Sequence, residues 1–283
     1  MMKVAVIGMV GNSAFMPVER FHVGEETVRA ESIHYEMGGK GFNQAIAAAR
    51  CGASVSFLSA IGNEYERDTV EWLERDGLSH TLVKKDGATA FAAILTDAEG
   101  RNHVTVYQGV RLSREDVLLF EDSIAEADVL LLNNEVDESV NLKALECAKK
   151  NGVFVILNPA PARAYSKEII EGVDLFTPNE HELEGIEELD NLVVTLGGRG
   201  CLLKQSGVTV PAVNSGTVVD TTGAGDTFNG TLAAMISAGH DLASAAAIAN
   251  RAASLSVTRR YAAGSIPTAD EMKKIINECS DNA

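Results

Sequence analysis

The chain is 283 residues long, 46% hydrophobic and 23% charged, a balance that sets aside disordered and fibrous classes and supplies enough residues for one large domain or two modest ones. Its 24 Lys and Arg against 40 Asp and Glu leave a formal net charge of −16. That charge repels phosphate backbones and anionic lipid, so nucleic acid and membrane surfaces are poor partners and small neutral polar molecules better ones.

The first expected strand is 3–7, with no basic leader or cleavage site ahead of it, so the expected compartment is the cytoplasm. Further β-branched runs at 54–59, 128–132, 153–157, 173–177 and 192–196 are apolar on consecutive residues, as in strands covered on both faces. Segments of helical period at 42–51, 65–76, 114–127 and 138–151 separate them, several ending at a glycine (Gly52, Gly77, Gly152). Strand and helix in alternation imply right-handed crossovers, a largely parallel sheet and an α/β fold. Stretches 11–36 and 87–108 break the rhythm. Their alternating pieces at 27–33, 89–96 and 102–108, the last two joined by Asp97-Ala98-Glu99-Gly100, predict antiparallel strands forming a small lid on a single domain spanning 1–283. Beyond Leu232 the chain is rich in alanine, with helices expected at 225–239, 241–258 and 268–280. The apolar stretch 232–257 is interrupted by His240, Asp241, Asn250 and Arg251, too polar to cross a bilayer. Cys51, Cys147, Cys201 and Cys279 have no metal-ligand spacing and read as idle thiols in a reducing compartment.

Four segments carry chemistry. Met37-Gly38-Gly39-Lys40-Gly41-Phe42-Asn43-Gln44-Ala45 opens a helix, where main chain and ammonium can converge on a polar ligand; without the Walker A spacing, it also reads as a flexible turn with a solvated lysine. Thr177-Pro178-Asn179-Glu180-His181-Glu182 follows a strand. Asn179 and Glu182, three apart on an opening helical turn, either hold a hydrated Mg²⁺ or form a capping box. Thr195-Leu196-Gly197-Gly198-Arg199-Gly200 ends a strand in a glycine turn suited to a nucleotide's phosphates or sugar. The strongest is Asp220-Thr221-Thr222-Gly223-Ala224-Gly225-Asp226-Thr227-Phe228-Asn229-Gly230, at the start of a helix. Orphan amides at Gly223, Ala224 and Gly225 make an anion site, and Asp226 beside it suits a base that deprotonates a hydroxyl attacking a phosphoryl group; the alternative is a glycine turn with a plain capping aspartate.

Together these segments resemble the ribokinase-like (PfkB) carbohydrate kinase family along nearly the whole chain. The segment 38–50 is similar to its first signature and 220–230 to its second. Asn158-Pro159-Ala160-Pro161-Ala162-Arg163, 177–180, 195–200 and Val257-Thr258-Arg259 match further landmarks in order. The resemblance implies a three-layer α/β/α fold with a β lid and transfer of the ATP γ-phosphoryl group to a sugar-type hydroxyl. It implies Asp226 as base, Gly223, Ala224 and Gly225 as the anion hole, and Gly39, Lys40, Asn43 and Glu135 at the substrate. Asn179 and Glu182 would attend Mg²⁺. Thr195, Gly197, Arg199 and Gly200 would contact ATP, with Asn250 near the adenine, while Asp220, Thr222 and Ser265 match a monovalent-cation (K⁺) site.

Two departures stand out. Ser13 occupies the place of the acid with which ribokinase-like sugar kinases hold two sugar hydroxyls, so Asn12 or Ser13 is expected to read a substrate other than ribose. The connection 184–192 is short where the family commonly has a helix. A nucleoside kinase of the same fold, or a metabolite-binding relative without catalysis, are the other readings. A sugar-phosphate kinase lacks cations in the lid beyond Arg20, Arg29 and Arg101. The resemblance also implies a homodimer through the lid.

Overall fold

The computed structural model describes residues 2–99 and 101–280. Its main sheet has six parallel strands in the order β10 (Leu175–Phe176), β9 (Phe154–Asn158), β8 (Val129–Asn133), β1 (Lys3–Ile7), β4 (Ser54–Ile61) and β5 (Ser79–Lys84). Consecutive apolar residues have a simple cause here: both faces are covered. In β1, Val4 and Val6 enter one core while Ala5 and Ile7 enter the other.

The first core is closed by α1 (Lys40–Arg50), α2 (Glu66–Arg75), α6 (Ala224–Ser237), α7 (Leu242–Ser256) and α8 (Ala269–Ser280), through residues such as Phe42, Leu73, Leu232, Ile248 and Met272. The second is closed by α3 (Glu121–Ala125), α4 (Glu138–Asn151) and α5 (Lys167–Gly172), through Ile124, Val140, Leu145 and Ile169. The result is three layers. The chain leaves β1 towards β4 and β5 on one side and β8, β9 and β10 on the other, so the carboxyl ends of β1 and β8 open a crevice at the reversal of strand order.

Two details position the site. Helices α1 and α6 touch backbone to backbone: a Cβ on Gly230 would lie 2.2 Å from the Gln44 carbonyl oxygen. The chain's single tryptophan, Trp72 of α2, meets Phe42 of α1 edge-on at 6.0 Å between ring centroids, with the Arg75 guanidinium 3.9 Å above the indole.

A second sheet of four strands forms the lid, in the order β3 (His34–Gly38), β2 (Gly11–Pro17), β6 (Ala90–Thr96) and β7 (Asn102–Tyr107). Its outer pairs are antiparallel and its central pair, β2 with β6, is parallel. The expected strand at 27–33 is absent; one bridge, Ala30 to Val18, is all that pairs there, and the strand lies at His34–Gly38 instead. The turn between β6 and β7 stands as expected as far as Glu99, and Gly100 lies outside the described residues. The helix expected at 114–127 is a 3-10 turn over Arg114–Phe120 followed by α3, because Phe120 leaves the helical region (φ −127°, ψ 4°). Beyond β10, a small antiparallel sheet of β11 (Val193–Thr195), β12 (Cys201–Leu203) and β13 (Val208–Val210) continues the main sheet through the bridges Phe176–Leu192 and Asn179–Thr195. No helix among the described residues is long and apolar enough to cross a membrane.

Candidate active site

The crevice is lined first by the turn that opens α1. Gly39 caps this helix at φ 104°, ψ 144°, and a Cβ there would lie 2.5 Å from the Met9 carbonyl oxygen, so only glycine lets the turn press against the end of β1. Directly beyond it, the Lys40 amide donates to Glu135 Oε2 at 2.7 Å. Glu135 sits on the turn after β8, which Asn133 holds by accepting the Glu135 amide at 3.0 Å and donating to Ile7 O at 3.3 Å.

Charge is concentrated here. Burial pushes the Glu135 carboxyl up to about 7, helped by Asp226 and opposed by Lys40 and by the amides of Lys40 and Gly41. Burial works to lower the Lys40 ammonium, but Asp226, Glu135 and Glu182 outweigh it and hold it above the usual lysine range.

Opposite stands the N-terminus of α6, capped by Gly223 at φ 76° with no side chain on its first amides. The Ala224 amide turns back to Thr221 O at 3.3 Å, while those of Gly225 and Asp226 have no intrahelical acceptor, leaving donors aimed out of the helix. Asp226 is buried and held on both oxygens: Oδ2 accepts from Asn43 Nδ2 at 2.9 Å and Oδ1 from Gln44 Nε2 at 3.1 Å. Gln44 Nε2 also donates to Asn158 Oδ1 at 3.1 Å, and Asn158 Nδ2 to Thr177 O at 3.0 Å. Asn43 Oδ1 and Gln44 Oε1 are buried without a partner. Both arise from α1 immediately after the glycine turn, which is why the close approach of α1 and α6 places Asp226 against them.

Ser13 and Asn12 alternate along β2. Ser13 shares a face with Gly38, its Oγ 3.0 Å from where a Cβ on that glycine would lie, and so faces the α1 turn. Asn12 points the other way, with Nδ2 against Met37 Sδ at 3.7 Å, and is not beside Ser13 at the crevice.

The side expected to take the nucleotide is built differently. No helix opens at 177–182. Residues 180–182 form a turn in which Glu182 Oε2 accepts the Asn179 amide at 3.0 Å and Asn179 Oδ1 accepts the His181 amide at 2.8 Å, one half of a capping box with the second bond shifted by one residue. Both side chains carry the hard oxygens Mg²⁺ takes, and the negative charge of Glu182 is among those that favour the Lys40 ammonium. Thr195, ending β11, gives its amide to Pro178 O at 2.8 Å; the 3-10 turn Gly197–Arg199 and Gly200 follow. Arg199 is exposed and pairs with exposed Glu180 at 2.6 Å. Asn250 lies beneath this surface: it is buried, with its Nδ2 donating to Val210 O at 2.9 Å, so its amide nitrogen supports β13.

Asp220 and Thr222 meet the loop before α8, which also carries Ser265. Asp220 Oδ1 accepts the Thr222 amide at 2.9 Å and hydroxyl at 2.7 Å, its Oδ2 accepts the Tyr261 amide at 3.0 Å, and Ser265 Oγ donates to Ala262 O at 2.7 Å. This all-oxygen set suits a hard monovalent cation.

Gln44, Asn133 and Asn158 belong to the site without having been singled out: Gln44 and Asn158 stood inside quoted segments, and Asn133 two residues before Glu135. Their signal was an amide side chain at the end of a strand or start of a helix, a pattern too common to separate from capping.

The chain matches the family model described as "pfkB family carbohydrate kinase" over residues 1–269. It is 33% identical over 306 residues to ribokinase of Staphylococcus aureus (strain COL), covering 96% of this chain and 99% of that protein. It is 32% identical over 307 residues to the bifunctional ribokinase/ribose-5-phosphate isomerase A of Fructilactobacillus sanfranciscensis, covering 98% of this chain but only 57% of that protein. The crystal structure of ribokinase from Thermotoga maritima superposes with a TM-score of 0.86 at 31% identity, covering 98% of this chain and all of that one.

Proposed function

The chain belongs to the pfkB family of carbohydrate kinases, phosphotransferases with an alcohol group as acceptor, and on that premise we propose that it transfers the ATP γ-phosphoryl group to a hydroxyl of a small sugar or related polyol with Asp226 as general base. The observation that carries this reading is the Asp226 carboxylate, gripped on both oxygens by Asn43 and Gln44 beside the uncapped amides that open α6. Asp226 takes the proton of the attacking hydroxyl as its oxygen bonds to the γ-phosphorus, the bond to ADP breaks, and the α6 amides stabilise charge on the phosphoryl oxygens. Lys40 adds positive charge to the same crevice. Asn43 Oδ1, buried and unpartnered, accepts a sugar hydroxyl, as does Glu135.

Thr195, Gly197, Arg199 and Gly200 receive ATP, largely through backbone. Asn179 and Glu182 would hold Mg²⁺ through water, and bound there it would supply screening of the phosphate charge. Asp220, Thr222 and Ser265 hold K⁺. The whole chain works as one kinase domain in the cytoplasm, with the four-stranded sheet as lid, and pairs with a second copy along the exposed β7 edge, which sedimentation would reveal as a dimer. Because Ser13 offers a neutral hydroxyl, the preferred sugar differs from ribose.

The test is ATP-dependent ADP release across sugars, polyols and nucleosides, with Mg²⁺ and with K⁺ or Na⁺. Release with a sugar or polyol, redirected towards ribose by Ser13→Asp, supports the reading. No release across the panel from a protein whose melting temperature ATP still raises would sink it in favour of a non-catalytic binder.

A further inference from the structure

Glu36 of β3 lies directly across from Ser13 of β2, yet its carboxylate is committed to another part of the molecule. Oε1 accepts the amides of Ala262 and Ala263 at 2.8 and 3.0 Å, and Oε2 that of Gly264 at 3.3 Å. Three consecutive amides on one buried carboxylate make a grip stronger than neutral hydrogen bonds. Around it, His34 stacks on Tyr261 at 3.9 Å between ring centroids and 14° between planes, and Phe15 meets the same ring edge-on at 5.0 Å. Phe15 and Ile94 of the lid also pack on Ala262. Tyr261 holds φ 75°, a left-handed conformation that a bulky side chain adopts only under constraint.

The gripped loop leads straight to the start of α6. A Cβ on Gly223 would lie 3.1 Å from Ala262 Cα, so Ala262 is seated on the residue that caps the helix, and the Tyr261 amide bonds Asp220. On the far side of the lid, Asn102 of β7 donates to Thr222 Oγ1 at 3.1 Å.

We propose that Glu36 is a positioning residue for phosphoryl transfer: from the lid it fixes the loop 261–264, and through Ala262 the Gly223 turn, so that the anion hole has its working geometry only while the lid is seated. This rests on the reading of the Gly223–Gly225 turn as the anion hole, in which the Ala224 amide is already engaged by Thr221 O and the Gly225 amide is open.

Glu36→Gln keeps the side chain's size while removing its charge and one acceptor. Two measurements read it against the unsubstituted protein, well below both melting temperatures. In hydrogen exchange followed by mass spectrometry, peptides covering 220–227 exchange faster in the variant while those of α4 do not change. In steady-state kinetics, kcat falls about tenfold with KM for ATP unchanged, the cost of a slightly misplaced site. Unchanged exchange over 220–227, or an unchanged kcat with only a lower melting temperature, overturns the proposal and leaves Glu36 a plain structural residue. Exchange does not depend on turnover, so a protein that proves inactive on every sugar defeats the kinase reading while this coupling is still decided on its own.

Discussion

The two halves of the crevice are made of different material. On the side proposed for the substrate, buried side chains bond one another across α1, α6 and β9, Asn43 and Gln44 on Asp226 and Asn158 on Gln44, and Glu135 after β8 accepts an amide of the α1 turn. On the nucleotide side, turns of backbone carry the surface, and the charged pair Arg199–Glu180 lies in solvent. A reacting hydroxyl and its base need fixed geometry in a water-poor pocket, which a buried network supplies before substrate arrives. A nucleotide's phosphates are met well enough by amides and mobile cations, and such contacts carry little of the fold.

If that division is right, damage should be severe on one side and slight on the other. Asp226→Asn keeps the shape but removes the base, and kcat should fall about 10²- to 10⁴-fold with ATP affinity preserved; wild-type turnover in this variant would erase the distinction altogether. Gly230→Ala inserts a methyl group 2.2 Å from the Gln44 carbonyl oxygen, driving α6 from α1 at about 1–3 kcal/mol of stability, measured by chemical denaturation, and parting Asp226 from Asn43.

Glu135 sharpens the comparison through pH. Its carboxyl is raised to about 7 in the fold against an ordinary value of 4.5, so between those pH values the folded chain keeps a proton that the unfolded chain has lost. Its contribution to stability is therefore full below pH 4.5 and is lost as pH rises towards 7. Denaturation across that window should show a decline that Glu135→Gln flattens; an identical slope in the variant would place the titration elsewhere. The smallest effect belongs to Arg199→Ala, because its ion pair with Glu180 lies in solvent, where screening leaves it little weight in stability. KM for ATP should rise modestly with kcat and melting temperature unmoved, and a collapse of either would mean that the nucleotide side is as rigid as its opposite.

How much of this the residues announce varies by region for physical reasons. Strand β1 and helix α4 lie where expected because local pattern and burial agree: both faces of β1 are covered, and Gly152 at φ 68° stops α4. The lid is harder. Gly11–Pro17 holds Gly-Asn-Ser-Ala with little strand preference, and it is a strand because β3 and β6 pair with it on either side, information that no short window contains. The helix start at Gly223 and the acid in its first turn were legible because small residues, an acid and a helix start must be adjacent in sequence. The amides of Gln44 and Asn158 were not, since their role appears only when segments more than a hundred residues apart meet. Asn250 adds a further role that no short window shows: its amide nitrogen ties α7 to β13 across forty residues of chain.

The contact between Trp72 and Phe42 has an optical consequence. Phe42 is the immediate neighbour of Asn43, and Arg75 sets a positive charge over the only indole in the chain. Any shift of α1 as a sugar engages Asn43 alters both the ring contact and the local field. The emission of this one fluorophore then reports binding without a label, and a titration at a single excitation wavelength would rank candidate sugars before any of them is phosphorylated.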